Sequence, residues 1–155
     1  QFEYLQNHLR ILSAFYGILK PMDGVTPYRL EMQAKAEIEE KTNLYDYWGD
    51  RLYHSVIDDS RTIINLASKE YSKCIERYLS DKDNYITITF CELSGDKLVT
   101  KGTYAKMARG EMVRFMAENN IENPVDIQKF DRLGYTFRGN LSSETEYVFE
   151  RKTIK

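Results

Sequence analysis

The sequence YAKMARGEMVRFM, residues 104–116, has the spacing of an amphipathic helix, with a glycine, Gly110, in its middle. A glycine inside a helix costs about 1 kcal/mol relative to alanine, because its unfolded backbone has more freedom to lose. A glycine kept at such a position therefore points to a place where another helix or a ligand approaches the backbone closely. Both explanations are open at this point.

A helical wheel divides this stretch into two faces. Apolar side chains share one arc, which we interpret as the core face: Ala105, Ala108, Met112, Phe115 and Met116. The opposite, cationic arc holds Lys106, Arg109, Gly110 and Arg114. Our hypothesis is that Gly110 faces a groove in which a phosphate or another anion reaches the backbone. A neighbouring helix packed on Gly110 is the structural alternative.

Towards the amino terminus, apolar residues recur at heptad-like spacing from Phe2 to Leu19 and predict a largely buried helix over residues 2–19. Lys20–Pro21 would end this helix. Two small residues would then lie between two cations in one stripe: Arg10, Ser13, Gly17 and Lys20. The small residues would either admit a neighbouring helix or form a second anion-binding face.

Turn and capping residues predict the remaining elements. A second helix begins near Asn43, and RTIINLAS, residues 61–68, predicts a strand followed by a helix capped at Ser68. YRLEM, residues 28–32, fits either a short strand or the start of a helix. YITITFCEL and KLVTKG flank SGD, residues 94–96, and predict a β-hairpin.

After residue 116, Asn123 is suited to cap a short helix that starts at Pro124 and runs through Phe130. GYTFRG, residues 134–139, and EYVFER, residues 146–151, predict two closing strands. This mixture of helices and short hairpins indicates the α+β class, in a single compact domain over residues 1–155. Since the chain begins at Gln1 and enters a helical pattern at once, we expect it to be part of a longer protein.

The predicted strand-to-helix turn at Ser68 and Lys69 is a third candidate anion site, because a helix start offers unpaired amides and the positive end of the helix dipole. The net charge is −2 overall, but residues 1–100 hold 12 Lys and Arg against 16 Asp and Glu, while residues 101–155 hold 10 against 8. Any anion-binding surface must therefore be local. We expect the three cationic features to share one cleft.

Several classes of protein have little support in the sequence. Two isolated histidines and two separated cysteines, Cys74 and Cys91, are a poor basis for a metal site or a histidine triad, and the cysteines are interpreted as buried free thiols. No run of apolar residues is long enough for a membrane span. We expect a cytoplasmic protein without a cofactor, a metal, a membrane contact or an obligate protein partner.

Five stretches carry a resemblance to a known family: HLRILSAFYGILKPMDGVTPYRLEMQAK, LYDYWGD, INLASKEY, YAKMARGEMVRFM, and GYTF followed by YVFER. In this order and spacing they resemble the YaaA family of bacterial peroxide-stress proteins, whose members carry an additional amino-terminal segment. The resemblance covers essentially the whole chain and implies its carboxy-terminal part.

The resemblance implies an α+β fold without close relatives, protection from hydrogen peroxide, lower free iron, and binding of duplex and branched DNA through a positively charged cleft. It also implies a helix-hairpin-helix element, although NNIENP, residues 119–124, lacks the glycine usual in such a hairpin. The cations that fall in matching motifs are Arg10, Lys20, Arg29, Lys69, Lys106 and Arg109.

The leading hypothesis is a non-enzymatic stress-protection protein that contacts DNA phosphates without strong sequence preference and limits iron-dependent damage. Its candidate binding residues are Arg10, Lys20, Arg29, Ser68, Lys69, Lys106, Arg109, Gly110 and Arg114. The alternative is an enzyme that acts on a phosphorylated or nucleotide-like small molecule in the same cationic pocket, with Tyr28, Glu31 or Asp50 as proton carriers. Direct iron binding has less support, because histidine is scarce.

Overall fold

The computed structural model describes residues 1–94 and 97–152, and these residues form helices and several small sheets. The α+β class is therefore confirmed. The helices are α1 (Phe2–His8), α2 (Leu44–Trp48), α3 (Arg51–Val56), α4 (Lys69–Glu76) and α5 (Gly102–Glu118), with 3₁₀ turns at Pro124–Lys129 and Gly139–Leu141. The strands are β1 (Ile11–Ser13), β2 (Gly17–Leu19), β3 (Lys35–Ile38), β4 (Lys41–Asn43), β5 (Thr62–Asn65), β6 (Asn84–Ser94), β7 (Lys97–Val99), β8 (Tyr135–Phe137) and β9 (Glu146–Arg151).

The contacts divide the chain into two compact units. The sheet unit comprises Gln1–Tyr4, Ile64–Leu66 and the chain from Ile86 onward, and the hairpin unit comprises Leu5–Ile63 and Ala67–Tyr85. The single domain over residues 1–155 stays a prediction.

The sheet unit is built on strands in the order β5-β6-β9-β8, with β7 also paired to β6. β6 and β9 run parallel, whereas β7 and β8 run antiparallel to their neighbours. Because side chains alternate across a strand, Ile86, Ile88 and Phe90 of β6 enter one core. The β6–β7 pairing confirms the predicted hairpin, while the central turn residues Gly95 and Asp96 lie outside the described part of the chain.

Helix α5 covers this core with the face that the sequence predicts. Its four buried core residues are Ala105, Ala108, Met112 and Phe115, and Met116 packs beside them. Full burial of a Met or Phe side chain contributes about 1.5–3 kcal/mol, so this face supplies most of the energy that holds the helix on the sheet. Asn123 caps the next turn by accepting a hydrogen bond from the Val125 amide, with Pro124 first in a 3₁₀ helix that ends at Lys129, so both predictions are confirmed.

The predicted helix over residues 2–19 is wrong, because only α1 is helical and β1 and β2 form a hairpin instead. Ser13 and Gly17 are its last pair before the turn. Gly17 has a φ of +79°, and a Cβ there would lie 2.9 Å from the Trp48 ring. The indole Nε1 of Trp48 also donates to the Ala14 carbonyl over 2.9 Å. These long-range contacts stabilise a turn where the apolar period predicts a helix.

The helix predicted near Asn43 begins there, because the Asn43 side chain accepts a hydrogen bond from the Asp46 amide. Gly49, with a φ of +55°, then divides it into α2 and α3. YRLEM forms neither the strand nor the helix start that its sequence allows, although Met32 is fully buried. Strand β5, helix α4 and the two closing strands confirm their predictions, and both cysteines are buried free thiols.

Candidate nucleic-acid interface

The cationic arc of α5 lies on the surface of the sheet unit. Lys106 and Gly110 are exposed and lie one turn apart, and Arg109 lies between them. A Cβ placed on Gly110 would meet no atom of the described residues within 4 Å, so none of their helices packs on Gly110. Within the described part of the chain, the backbone at Gly110 is open to a ligand.

Arg109 is half-buried, and its charge has no counter-ion. Its Nε is enclosed by protein without a hydrogen-bond partner, and no ion pair to Arg109 is formed among the described residues. Burial lowers the pKa of the Arg109 guanidinium, but an arginine stays protonated at neutral pH. A desolvated cation without a partner is costly, so this position would gain from an external anion.

Arg114, by contrast, is neutralised within the protein. Its Nε donates to Glu118 Oε1 over 2.7 Å, and Arg132 Nη2 donates to the other oxygen of Glu118 over 2.6 Å. Arg132 also donates to Glu111 over 2.8 Å and stacks on the Phe115 ring. Two cations and two carboxylates balance in this network, so Arg114 has less charge to offer an anion than Arg109.

In the hairpin unit, Arg10 and Lys20 do not share a helical stripe, because the helix that would carry them is absent. The β1–β2 register instead places both residues next to the Ile11↔Leu19 pair, at the open end of the hairpin. Arg10 Nη1 donates to the carbonyls of Gln6 and Leu9 at the carboxyl end of α1, where a cation is favourable. Lys20 is exposed.

Ser68 occupies the N-cap position of α4 as predicted, but its side chain makes no capping hydrogen bond. Lys69 is exposed, whereas the next residue, Glu70, places a carboxylate in the first turn. That carboxylate accepts a hydrogen bond from the Gln33 amide over 3.3 Å. Because Glu70 already supplies negative charge to this helix start, the anion site predicted there is weakened.

The three residues proposed for the alternative pocket, Tyr28, Glu31 and Asp50, have different surroundings. The hydroxyl of Tyr28 lies 2.5 Å from Ser13 Oγ. Burial raises the pKa of Tyr71, the carboxylates of Glu70 and Glu31 raise it further, and a hydrogen bond with the Met32 backbone lowers it. Asp50 is exposed and pairs with His54 over 3.4 Å, and no contact within the described ranges joins it to Tyr28 or Glu31.

Sequence reasoning missed the aromatic surroundings of Tyr28. The rings of Phe15, Tyr16 and Tyr28 are in mutual contact, with centroids 4.9–5.6 Å apart, and Arg29 follows them as an exposed cation. The high tyrosine and phenylalanine content was the available signal, but Phe15 and Tyr16 were assigned to a buried helix.

Residues 1–94 and 97–152 bring together no group of three His, Cys, Asp or Glu side chains fit to hold a metal ion. None of their helices combines the length and apolar character needed to cross a membrane.

A family model described as "Peroxide stress protein YaaA" matches residues 1–141. The chain belongs to this family. The matched range includes every predicted site residue on both units. The resemblance read from the five motifs is therefore confirmed.

Relatives named only as UPF0246 proteins support the same assignment. The chain is 80% identical to one from Agathobacter rectalis over 98% of its own length and 61% of the relative's. A protein from Lachnoclostridium phytofermentans is 57% identical over 96% of this chain and 58% of the relative. One from Desulfitobacterium hafniense is 55% identical over 96% of this chain and 59% of the relative. The chain thus spans about three fifths of the length of these relatives.

Proposed function

We propose that this member of the YaaA family protects against peroxide stress by binding duplex or branched DNA through phosphate contacts, without strong sequence preference. The proposed role is binding and not catalysis, it belongs to the bacterial cytoplasm, and it limits iron-dependent oxidation of the bound DNA. The observation that carries the proposal is Arg109, a half-buried guanidinium without a counter-ion among the described residues, beside exposed Lys106 and the open backbone of Gly110.

These three residues suit a phosphate for separate reasons. A phosphate on this face would supply the counter-ion that the Arg109 guanidinium lacks among the described residues. Lys106 adds a mobile point charge on the same face, and Gly110 lets the strand approach without a side chain in its way. Two exposed cations of the hairpin unit, Lys20 and Arg29, are proposed as further phosphate contacts. That all of them share one cleft stays a prediction.

The salt dependence of DNA binding tests the proposal. Each phosphate neutralised adds about −0.9 to the slope of log affinity against log salt for duplex DNA. We expect a steep slope for the protein, and replacement of Lys106 and Arg109 by alanine should weaken binding to all sequences alike and reduce the slope by about 2. Fluorescence anisotropy with a labelled short duplex at several salt concentrations measures both quantities.

A charge-matched control distinguishes the effect of this α5 face from the effect of lowering the net positive charge of the protein. Lys97 and Lys129 are exposed cations of the same unit that lie off the α5 arc, and their double alanine variant removes the same charge. It should retain nearly normal affinity. If affinity hardly responds to salt, or both double variants behave alike, the phosphate-binding face on α5 is refuted.

Protection itself needs a second measurement. Plasmid DNA treated with ferrous iron and hydrogen peroxide should be nicked more slowly when the protein is present. The Lys106 and Arg109 double variant should protect less, because protection depends on binding. If the unaltered protein and the double variant protect the plasmid equally, protection does not depend on the cations of the α5 face.

The second candidate is an enzyme that acts on a phosphorylated or nucleotide-like small molecule. The hydrogen bond between Tyr28 and Ser13 favours it, because polar groups that converge in this way also occur in small-molecule sites. Saturable binding of a mononucleotide that survives high salt would support this candidate over the DNA-binding one.

A further inference from the structure

An aromatic cluster lies at the tip of the β1–β2 hairpin and consists of Phe15, Tyr16 and Tyr28. Phe15 contacts Tyr28 with ring centroids 5.3 Å apart, and Tyr16 meets both rings edge-on. Phe15 is 57% exposed and Tyr28 is 42% exposed. Large aromatic side chains that are grouped and partly exposed on a surface are typical of a binding site, since folding alone would bury them.

The cluster is held in place by hydrogen bonds beneath the rings. Buried Ser13 contacts the Tyr28 hydroxyl and also accepts a hydrogen bond from the Tyr16 amide over 2.9 Å. The Tyr16 hydroxyl accepts a hydrogen bond from the Thr26 amide over 2.8 Å, which ties the segment before Tyr28 to the hairpin. Because these rings are already ordered, a ligand that stacks on them would lose little affinity to side-chain ordering.

Positive charge accompanies the exposed rings. Arg29 directly follows Tyr28 and is exposed, and Lys20 lies exposed at the other end of the same hairpin. The nearest carboxylate along the hairpin, Asp23, accepts a hydrogen bond from the Lys20 backbone amide and leaves the Lys20 ammonium unpaired among the described residues. Exposed aromatic rings next to a cation, here Arg29, are a combination by which proteins hold single-stranded nucleic acid, with bases on the rings and phosphates on the cations.

We propose that Phe15 and Tyr28 form a stacking platform for an unpaired base of single-stranded DNA, with Arg29 on an adjacent phosphate. This inference rests on the proposed DNA-binding function and specifies that an unpaired base is the part of the DNA that these rings recognise. A base inside a duplex is already stacked on both faces, so the platform selects single strands and the open ends of branched DNA. Stacking is tolerant of sequence because every base has a flat face.

The test uses a short single strand that contains the fluorescent base 2-aminopurine, whose emission falls when it stacks on an aromatic ring. The protein should quench this emission and bind the strand, and Phe15→Ala should weaken single-strand binding by about tenfold and reduce the quenching. Binding to a duplex should stay within about twofold. Phe15→Trp and Tyr28→Phe keep the rings and should keep the quenching.

Phe2→Ala is the matched control, because Phe2 is 80% exposed and lies in α1, outside the cluster. It should leave single-strand binding unchanged, and circular dichroism should show all variants folded. If Phe15→Ala binds the single strand as tightly as the unaltered protein while duplex binding keeps its salt dependence, the platform is refuted and the proposed function stands.

Two other outcomes also decide the question. If a free mononucleotide competes at the same concentration as the strand, the rings belong to a small-molecule site and the single-strand proposal is overturned. If no DNA of any form binds, the proposed function fails, and the stacking platform fails with it.

Discussion

Helix α5 and the first hairpin begin from similar apolar patterns and end as different structures. Both stretches repeat apolar residues with a helical period and contain one glycine among cations. In α5, Gly110 stays within the helix with open space beside it. In the hairpin, Gly17 adopts a φ of +79° against the Trp48 ring. A glycine within a helical apolar pattern thus lies on an open surface in one unit and in close contact with an aromatic ring in the other.

The largest effect that sharpens this comparison is expected for Gly17→Ala. The new Cβ would lie 2.9 Å from the Trp48 ring, and the alanine would have to keep the left-handed backbone conformation of Gly17. Overpacking and backbone strain therefore act together. We expect a loss of about 2–4 kcal/mol in the free energy of unfolding. Urea unfolding measures it, and a Gly24→Ala variant, at a glycine with no atom within 4 Å, is the control. An equal loss in both variants would contradict the role of Trp48.

A smaller effect of opposite sign is expected for Arg109→Met. Methionine keeps the apolar stem of the side chain and removes a partly desolvated charge that has no partner within residues 1–94 and 97–152. The free energy of unfolding should rise by about 1 kcal/mol, while duplex affinity falls, which is the trade-off expected where a position serves binding more than folding. Thermal unfolding and anisotropy on the same samples test the pair. A destabilised variant would show that Arg109 serves the fold.

For Gly110→Ala we expect a gain in stability of about 0.5–1 kcal/mol, because alanine is the better helix former and nothing crowds the new Cβ. If a phosphate approaches this backbone, the same variant should also bind DNA more weakly. Calorimetric unfolding with and without a short duplex separates the two effects. Gly17 and Gly110 would thus respond to one substitution with opposite signs.

The smallest effect concerns the network around Arg114. Hydrogen bonds from Arg114 and Arg132 hold the pKa of Glu118 below its ordinary value of 4.5. Because the folded state lowers this pKa, the stabilisation is complete above about pH 5 and is lost as the pH falls below 4.5. Urea unfolding from pH 7 to pH 3 should therefore show a smaller acid-dependent loss in Glu118→Gln than in the unaltered protein. Identical pH profiles for the two proteins would show that the ion pairs of Glu118 do not contribute to stability.

Residues that act on near neighbours in the chain could be predicted. Asn43 and Asn123 cap the turns that their types indicate, and the apolar face of α5 packs as its period predicts. Of the candidate site, the exposure of Lys106 and Gly110 followed from the same helical wheel.

The rest depended on partners far away in the sequence. The hairpin at residues 11–19 rests on the bond from Trp48 to Ala14, 34 residues apart. The contact between Ser13 and Tyr28 bridges 15 residues and builds the aromatic cluster that the sequence alone did not reveal. The ion pairs of Arg132 with Glu111 and Glu118 likewise join residues 21 and 14 apart in the sequence.

The sequence by itself determined the α+β class, the family, the amphipathic α5 and the position of its cations, because periodicity and capping act over a few residues. Only the tertiary structure decided that residues 11–19 form a hairpin, that Arg109 is half-buried while Arg132 pairs with Glu111 and Glu118, and that Phe15 and Tyr28 lie exposed together. The physical reason is that burial and ion pairing depend on which distant groups come into contact, and a local pattern does not specify them.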